Sequence, residues 1–214
     1  MEVEIVKRIA KGAEADIYLV NWYGEKAILK VRVEKKYRDK ELDREIREER
    51  TKREAKALYY VKKAGVLAPT IYDVDLVRYG ILMEFINGEL ARNCIEKVYF
   101  ENKRVIRDIG RNIGMMHESG IVHNDLTTSN MIFMGEKIFF IDFGLSTFSF
   151  RIEDQAIDLL VLIEALKATH REYYMVILKE IIRGYREVRG EKSNQVFRQI
   201  DKIKRRSRYG ERQL

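Results

Sequence analysis

Alternating apolar and polar residues mark the N-terminal part of the chain. Three stretches, VEIVKRIA, ADIYLVNW and KAILKVRV, alternate in this way within residues 2–33, and glycines separate them. Because successive side chains of a strand point to opposite faces, the pattern predicts three strands joined by tight turns. Residues 40–64 lose the turn signals and keep a thin apolar stripe, which predicts a long charged helix on the surface of a sheet. Two further strands are predicted in TIYDVD and YGILMEF.

The apolar spacing becomes helical after Gly88. Apolar residues recur three or four positions apart from Val105 to Met116, which predicts a helix ending at Gly120. MIFM and KIFFI, on either side of Gly135, predict a short hairpin. Three more helices are predicted in DQAIDLLVLIEAL, YYMVILKEIIRGY and NQVFRQIDKIKRR.

These elements predict an α+β fold with two lobes in a single domain over residues 1–214. The N-terminal lobe, residues 1–86, is expected to hold an antiparallel sheet and one long helix. The C-terminal lobe, residues 87–202, is expected to be mainly helical. Residues 203–214 form a basic tail.

Composition fits a folded chain with a heavily ionised surface. The 214 residues are 46% hydrophobic and 35% charged, with a net charge of +7. The single cysteine, Cys94, excludes an intramolecular disulfide and a multi-cysteine zinc site, and we expect it to be a half-buried small apolar residue. No apolar run reaches the roughly 20 residues of a membrane span, and no signal peptide is apparent, so we expect a cytoplasmic protein. The positive charge would attract phosphates or an acidic partner, but it also simply keeps proteins dispersed.

Candidate chemistry is concentrated in HNDLTTSNMIF, residues 123–133, and in the FFIDFGLS stretch that follows. Asp125 lies in a loop after an apolar strand, where a carboxylate can accept a proton from an attacking hydroxyl or water. Asn130 and Asp142 offer the hard oxygen ligands that suit Mg²⁺. Phosphoryl transfer needs such a base and such ligands, together with a cation and a cover for the phosphates.

The N-terminal lobe offers that cation and that cover. Lys30 ends the third predicted strand, and Glu54 lies on the long helix, so an ion pair between them would hold the ammonium toward nucleotide phosphates. The turn KGAEAD joins the first two strands and would lie over the phosphates, with a plain hairpin glycine as the weaker alternative for Gly12.

These motifs resemble those of eukaryotic-type protein kinases over nearly the whole chain. HNDLTTSN resembles the catalytic-loop pattern H-R-D-L-x-x-x-x-N, and DFG is present at residues 142–144. Within that superfamily KGAEADIY, KVRVEKKYR, RTKREA, HNDLTTSN and EDQAIDL together resemble the kinase-subunit family of the KEOPS (EKC) complex, the bud-site-selection or p53-related kinase family, which is related to the RIO kinases.

The resemblance implies a role for each matching residue. Asp125 would be the catalytic base, Lys30 would bind the phosphates and pair with Glu54, and Asn130 with Asp142 would hold Mg²⁺, with Mn²⁺ as an alternative. Asp158 resembles the buried carboxylate that braces the catalytic loop. We expect His123 to stabilise this loop and the DFG turn. Neither His123 nor His117 is expected to be a metal ligand. The implied ATP contacts are Ile9, Gly12, Ala13, Glu14, Ala15, Ile17, Lys30, Glu54, Ile132, Met83 at the back of the pocket, and Glu84 and Ile86 in the hinge.

Three departures from the kinase pattern restrict the expected activity. Of the glycine-rich loop only Gly12 is kept, so the cover should be stiffer and bring Glu14 close to the phosphates. Thr127 stands where protein kinases commonly have a lysine, which removes one positive charge from the transferring phosphate. No A-P-E motif follows Gly144, and the short stretch before Glu153 leaves no room for an ordinary activation segment. We therefore expect slow transfer and no platform for peptide substrates.

The resembled family implies an assembly as well as an activity. Its members are expected to act as ATPases that phosphorylate themselves in isolation, within a complex that supports threonylcarbamoylation of adenosine 37 in certain tRNAs. The implied partners are the threonylcarbamoyl-transferase subunit and a small adaptor subunit. Contacts with tRNA are expected to be indirect or to run through the basic tail.

Other functions remain open from the sequence alone. A RIO-like kinase of ribosome maturation would carry the same motifs. A small-molecule phosphotransferase of the aminoglycoside or choline type also has H-x-D-x-x-x-x-N, but usually with large helical insertions for which this chain has little room. A kinase-fold scaffold without catalysis is disfavoured because each base and metal position is filled.

Overall fold

The N-terminal lobe is a five-stranded antiparallel sheet with one long helix. A computed structural model describes residues 3–210 of the chain. The strand order is β1-β2-β3-β5-β4, and helix α1, Lys40–Lys63, connects β3 to β4. The strands are β1 Glu4–Lys11, β2 Ala15–Trp22, β3 Glu25–Arg32, β4 Ile71–Asp75 and β5 Gly80–Glu84. The three-strand meander, the helix and the two later strands are present as the sequence predicts.

Helix α1 has clear signals at both ends. The Asp39 side chain accepts hydrogen bonds from the backbone N–H groups of Glu41 and Leu42, which caps the first turn. The helix ends before Gly65, whose φ of +85° favours glycine. Its apolar face, which includes Leu58 and Val61, belongs to the core that continues into the C-terminal lobe. The helix therefore joins the two lobes and does not merely lie on the sheet.

The C-terminal lobe is mainly helical. Its helices are α2 Ala91–Glu101, α3 Lys103–Glu118, α4 Ile152–Thr169, α5 Tyr174–Arg189 and α6 Lys192–Gly210. Two small sheets lie at the junction with the N-terminal lobe, in the orders β6-β8-β9 and β7-β10. Their strands are β6 Glu89–Leu90, β7 Ile121–Val122, β8 Met131–Met134, β9 Lys137–Phe140 and β10 Thr147–Phe148.

The sequence predicted the hairpin β8–β9, helices α3 to α6 and an apolar strand before Asp125, which is β7, but not α2, β6 or β10. Helix α6 runs on into the predicted basic tail as far as Gly210, and residues 211–214 of that tail lie outside the described residues. Cys94 is buried on α2, more completely than expected, and burial raises the pKa of its thiol to about 11. Within residues 3–210, no helix has both the length and the apolar character that a membrane crossing requires.

Helices α3 and α5 are in close contact at the base of this lobe. A Cβ atom on Gly110 would lie 1.8 Å from the carbonyl oxygen of Ile181, so the approach requires a residue without a side chain. Around this contact Arg107 donates to Glu180, and Arg111 donates to Glu187. Strand β7 and the loop that carries Asp125 follow α3 directly along the chain.

Candidate active site

Lys30 lies between two carboxylates at the junction of the lobes. Its Nζ atom is 2.6 Å from Oε1 of Glu54 and 2.6 Å from Oδ1 of Asp142. The ion pair predicted between Lys30 and Glu54 is therefore present, and both residues are buried. Burial alone would lower the pKa of Lys30, but the two carboxylates outweigh this effect and hold that pKa above its usual value. Burial would likewise raise the pKa of Asp142, but Lys30 holds it below its ordinary value.

Asp125 and Asn130 form the second part of the site. The Nδ2 atom of Asn130 donates to the Asp125 carboxylate at 2.8 Å and to the Asp125 carbonyl oxygen at 2.9 Å. The amide oxygen of Asn130 takes part in neither bond. The backbone N–H of Ile141 donates to the carbonyl oxygen of Asn130, so Asn130 lies across a strand pair from the residue that precedes Asp142. The hairpin β8–β9 thus brings the predicted metal ligands close together.

A buried carboxylate fixes the backbone of this loop. Asp158 on α4 accepts hydrogen bonds from the backbone N–H groups of His123 and Asn124, at 2.9 and 2.7 Å. Its third partner is His117, whose Nε2 atom lies 3.1 Å from Oδ2 of Asp158, while Nδ1 of His117 faces the Tyr185 hydroxyl at 2.9 Å. The predicted bracing role of Asp158 is confirmed.

His123 connects the catalytic loop to the DFG turn. Its Nε2 atom lies 3.1 Å from the carbonyl oxygen of Ile141, and its ring packs against Phe143. The stabilising role expected for His123 is confirmed. Among residues 3–210, no group of three or more His, Cys, Asp and Glu side chains is arranged to hold a metal ion. A metal at Asn130 and Asp142 would have to complete its shell with water and phosphate oxygens, as Mg²⁺ usually does.

A cleft of about 260 Å³ lies between the lobes. Eight of the predicted residues line it: Gly12, Ala13, Glu14, Ala15, Ile17, Lys30, Asp125 and Asp142. Five lining residues were not predicted: Ala10, Arg32, Arg50, Gly144 and Leu145. The side chain of Asp142 is 42% exposed, whereas that of Glu54 is only 2% exposed. The carboxylate that faces the cleft is therefore that of Asp142, whereas the buried carboxylate of Glu54 contacts Lys30 from the side away from the cleft.

Ile9, by contrast, is not part of the cleft wall. The pairing of β1 with β2 is irregular between Arg8 and Ala10, as in a β-bulge, and Ala10 is the residue opposite Ile17. The irregularity shifts the alternation of side chains by one position, so Ala10 lines the cleft and Ile9 is exposed. The sequence alone could not place this shift.

The hinge residues also lie away from the described cleft wall. Met83 and Ile86 are buried, and Ile132 is paired with Phe139 in the small sheet. Glu84 donates its backbone N–H to the carbonyl oxygen of Thr70 at 2.8 Å, and its carboxylate accepts from the Thr70 hydroxyl. The structure thus groups the residues predicted around the phosphates, but not those predicted around adenine.

The cover over the cleft is a tight turn that is tied to α1. Gly12 donates its backbone N–H to the carbonyl oxygen of Ala15, and a Cβ atom on Gly12 would lie 2.6 Å from that oxygen. The turn therefore requires glycine for steric reasons. The carboxylate of Glu14 pairs with Arg50 on α1 and, at 3.8 Å, with Lys35. These contacts agree with the expectation of a stiff cover that brings Glu14 to the cleft.

The segment after the DFG turn is short and fixed to the catalytic loop. Nδ2 of Asn124 donates to the carbonyl oxygen of Leu145 at 3.0 Å and to the hydroxyl of Thr147 at 2.9 Å. Strand β10 pairs with β7, and α4 begins at Ile152. The residues that would form an activation segment in a larger kinase are thus a short pinned connection here.

This bilobal architecture, with a lysine–carboxylate pair facing a catalytic-loop aspartate and asparagine, defines a protein-kinase-like domain. The RIO domain family matches residues 24–161. The chain is also 44% identical to the KEOPS complex subunit Bud32 of Pyrococcus abyssi, over 97% of this chain and 98% of that protein. It belongs to the RIO domain family and, within it, to the family of Bud32 proteins.

Other relatives are longer than this chain. A probable bifunctional tRNA threonylcarbamoyladenosine biosynthesis protein of Methanobrevibacter smithii is 41% identical over 94% of this chain, which spans 36% of that protein. A protein of the same name from Methanocaldococcus jannaschii is 42% identical, and the chain spans 37% of it. The Rio2 kinase–ADP/Mg²⁺–phosphoaspartate complex of Chaetomium thermophilum has a similar fold, with a TM-score of 0.60 at 13% identity, covering 97% of this chain and 72% of that one.

Proposed function

We propose that this chain binds ATP with Mg²⁺ and transfers or hydrolyses the terminal phosphate. The observation that carries the proposal is the position of Lys30, held between Glu54 and Asp142 in the cleft that Asp125 also lines. An ammonium and an exposed carboxylate side by side suit a phosphate chain accompanied by a metal ion.

Each residue then has a distinct task. Asp142 and the free amide oxygen of Asn130 hold Mg²⁺, which neutralises charge on the phosphates when bound. Lys30 binds phosphate oxygens while Glu54 keeps its ammonium directed into the cleft. Asp125, oriented by Asn130, accepts the proton of the attacking hydroxyl or water. Gly12, Ala13, Glu14, Ala15 and Ile17 cover the nucleotide. The adenine contacts proposed are Met83, Glu84, Ile86 and Ile132. Mn²⁺ is proposed as an alternative metal.

The acceptor we propose is water or a hydroxyl of the chain's own serine or threonine residues. The connection between Leu145 and Phe150 is short and held by Asn124, so the chain lacks the long activation segment on which an extended peptide could bind. Serine/threonine kinase activity is therefore proposed in the form of autophosphorylation beside ATP hydrolysis.

In the cell, we propose, the chain is a subunit of a KEOPS complex that supports formation of threonylcarbamoyladenosine in tRNA. The names of the Pyrococcus abyssi relative and of the longer bifunctional relatives support this proposal. The proposed partners are a threonylcarbamoyl-transferase subunit and a small adaptor subunit, in the cytoplasm. The C-terminal lobe would offer its basic tail, from residue 203 onward, to the neighbouring active site or to tRNA phosphates.

ATP turnover by the full chain in Mg²⁺ tests the catalytic proposal. Replacing Asp125 or Asp142 with alanine is expected to lower the rate at least about 100-fold, the usual scale for losing a positioned base or a charge-stabilising group. Glu164→Gln, an exposed change on α4, serves as the control and should leave the rate unchanged. Turnover that persists in both alanine variants would contradict the proposal.

Copurification from the native host separates the cellular roles. Recovery of a tRNA-modifying partner supports the KEOPS role. Recovery of ribosomal precursors instead would favour a RIO-like role, which the RIO domain match keeps as the second candidate. Transfer to small alcohols in a screen would favour a small-molecule phosphotransferase, and binding of the partner without any ATP turnover would favour a scaffold.

A further inference from the structure

A second buried cation lies beside Lys30 at the inner end of the cleft. Nη2 of Arg32 donates to Oε2 of Glu54 at 2.6 Å and to the carbonyl oxygen of Arg50 at 3.1 Å. Residues two apart on a strand point to the same face, so β3 presents both Lys30 and Arg32 to α1. Glu54 thus divides its two oxygens between the two cations.

The four charges of this cluster balance. Lys30 and Arg32 are the cations, and Glu54 and Asp142 are the carboxylates, so the formal charges cancel. Gly144 lies directly against the cluster, because a Cβ atom on it would be 3.1 Å from Nη2 of Arg32 and 3.3 Å from Oε2 of Glu54. A side chain at this position of the DFG turn would therefore be in tight contact with the cluster and would require its charged groups to shift slightly.

Burial of the Arg32 guanidinium costs desolvation free energy, so a compensating role is expected for this residue. Its side chain is 5% exposed, and its Nε atom is buried without a hydrogen-bond partner among the described residues. A buried cation carries a large desolvation penalty that its partner must repay. Lys30 and Glu54 alone would already form a neutral pair. Arg32 adds the positive charge that balances the second carboxylate, Asp142, and this charge becomes available to a bound anion when Asp142 binds a metal ion instead.

We propose that Arg32 is a positioning residue for nucleotide phosphates, because by neutralising Glu54 it leaves the charge of Lys30 available to the phosphates. The inference rests on the proposed function. When Asp142 binds a metal ion, its carboxylate no longer balances Lys30. Within this cluster, Glu54 is then the one carboxylate paired with Lys30 and Arg32, so one positive charge remains for phosphate oxygens. This charge compensates for the cation that is missing at Thr127.

The affinity of the full chain for ADP in saturating Mg²⁺, measured by calorimetry, tests this inference. Arg32→Gln is expected to weaken binding about tenfold. In a Glu54→Gln background the same change is expected to weaken binding less than twofold, because no carboxylate is left for Arg32 to neutralise. An equal tenfold loss in both backgrounds would show that Arg32 acts independently of Glu54 and would overturn the inference, as would an unchanged affinity in Arg32→Gln.

Two further variants keep the test decisive. Arg32→Lys retains the charge and should bind ADP within threefold of the unmodified chain, so a tenfold loss in folded Arg32→Lys would contradict the inference even if Arg32→Gln did not fold. Arg53→Gln removes an arginine of α1 that pairs with Glu49 outside the cleft. This matched control should not change ADP affinity, whereas a tenfold loss would attribute the effect of Arg32 to net charge.

The outcome also separates this inference from the proposed function. If the unmodified chain did not bind ADP with Mg²⁺, the proposed function itself would fail. If the unmodified chain bound ADP and its turnover depended on Asp142, while Arg32→Gln bound equally well, only the role of Arg32 would be refuted.

Discussion

At the scale of single residues, Asp158 determines the shape of the loop that carries Asp125. Both of its oxygens accept backbone N–H groups of the loop, and one also faces His117. Asn124, one of the donors, has a φ of +64°, a conformation that non-glycine residues seldom adopt. Asparagine is among the few non-glycine residues that adopt this conformation readily, and the buried carboxylate holds the loop in it through these two backbone hydrogen bonds.

Replacing Asp158 with asparagine should both destabilise the chain and slow ATP turnover. The amide nitrogen of asparagine donates and does not accept, so at least one buried N–H group of the loop loses its acceptor, at a cost of about 1–3 kcal/mol. The free energy of unfolding in urea and the turnover rate of the folded variant measure the two effects. Asp201→Asn, at an exposed position on α6, is the control. A variant of unchanged stability would contradict the bracing role.

The sequence predicted least well those site residues that lie in no motif and whose partners are far away along the chain. Lys30, Glu54, Asp125, Asn130 and Asp142 lie in motifs whose order alone suggested their chemistry. Arg32 and Arg50 lie in no such motif. The contact of Arg32 with Glu54 and that of Arg50 with Glu14 form only when β3, α1 and the cover pack together. Two spacings could have suggested them: Arg32 lies two residues after Lys30 on a strand, and Arg50 lies four before Glu54 on a helix.

At the scale of elements, the sequence predicted the helices with a recognisable apolar stripe and missed α2. Helix α3 carries a continuous stripe and α1 a thin one, whereas α2 is short and buries only Ala91, Cys94 and Ile95. Strands of two residues, such as β7 and β10, are too short to show alternation. These two strands pair with each other. The pairing is held in place by Asn124, whose side chain donates to Thr147 in the short segment after the DFG turn.

The α3–α5 pair should lose stability in acid. Burial would raise the pKa of Glu180, but hydrogen bonds and charge from Arg107 and Arg183 outweigh this and hold the pKa below its ordinary value of 4.5. A carboxyl group with a lowered pKa in the folded state stabilises the chain above its unfolded pKa, and this contribution is lost as pH falls through the folded value. The contribution should therefore be full at neutral pH and decline below about pH 4.5.

Urea unfolding across this pH range measures the effect. Glu180→Gln should be less stable than the unmodified chain at pH 7, and the difference should shrink as the pH falls below 4.5. Glu164→Gln is the matched control, because Glu164 pairs with Lys167 on an exposed face of α4. A difference that stays constant with pH would contradict an ionised Glu180 between the helices.

At the scale of the whole molecule, α1 makes the two lobes one folding unit. The residues Ala57, Leu58 and Val61 of α1 share a core with Ile109, Phe140 and Phe143 of the C-terminal lobe, while the sheet has only a small core of its own around Val20, Ala27 and Leu82. The sheet therefore depends on α1, and α1 depends on the C-terminal lobe.

A single cooperative unfolding transition is the expected consequence. The only tryptophan, Trp22, lies on β2 and reports on the N-terminal lobe by fluorescence, whereas far-ultraviolet circular dichroism reports mainly on the helices of the C-terminal lobe. The two probes should give coincident curves. Leu58→Ala should shift both by the same amount, with a loss of about 2–5 kcal/mol. Separate midpoints for fluorescence and circular dichroism would contradict the shared core.

The proposed function depends on a Mg²⁺-nucleotide site formed by Lys30, Asp125, Asn130 and Asp142. Calorimetric titration of the full chain with a non-hydrolysable ATP analogue, with and without Mg²⁺, tests it most directly. The unmodified chain should bind more tightly when Mg²⁺ is present. In Asp142→Asn that dependence on Mg²⁺ should disappear, while binding without Mg²⁺ persists because Lys30 remains. The same Mg²⁺ dependence in the variant as in the unmodified chain would contradict the account.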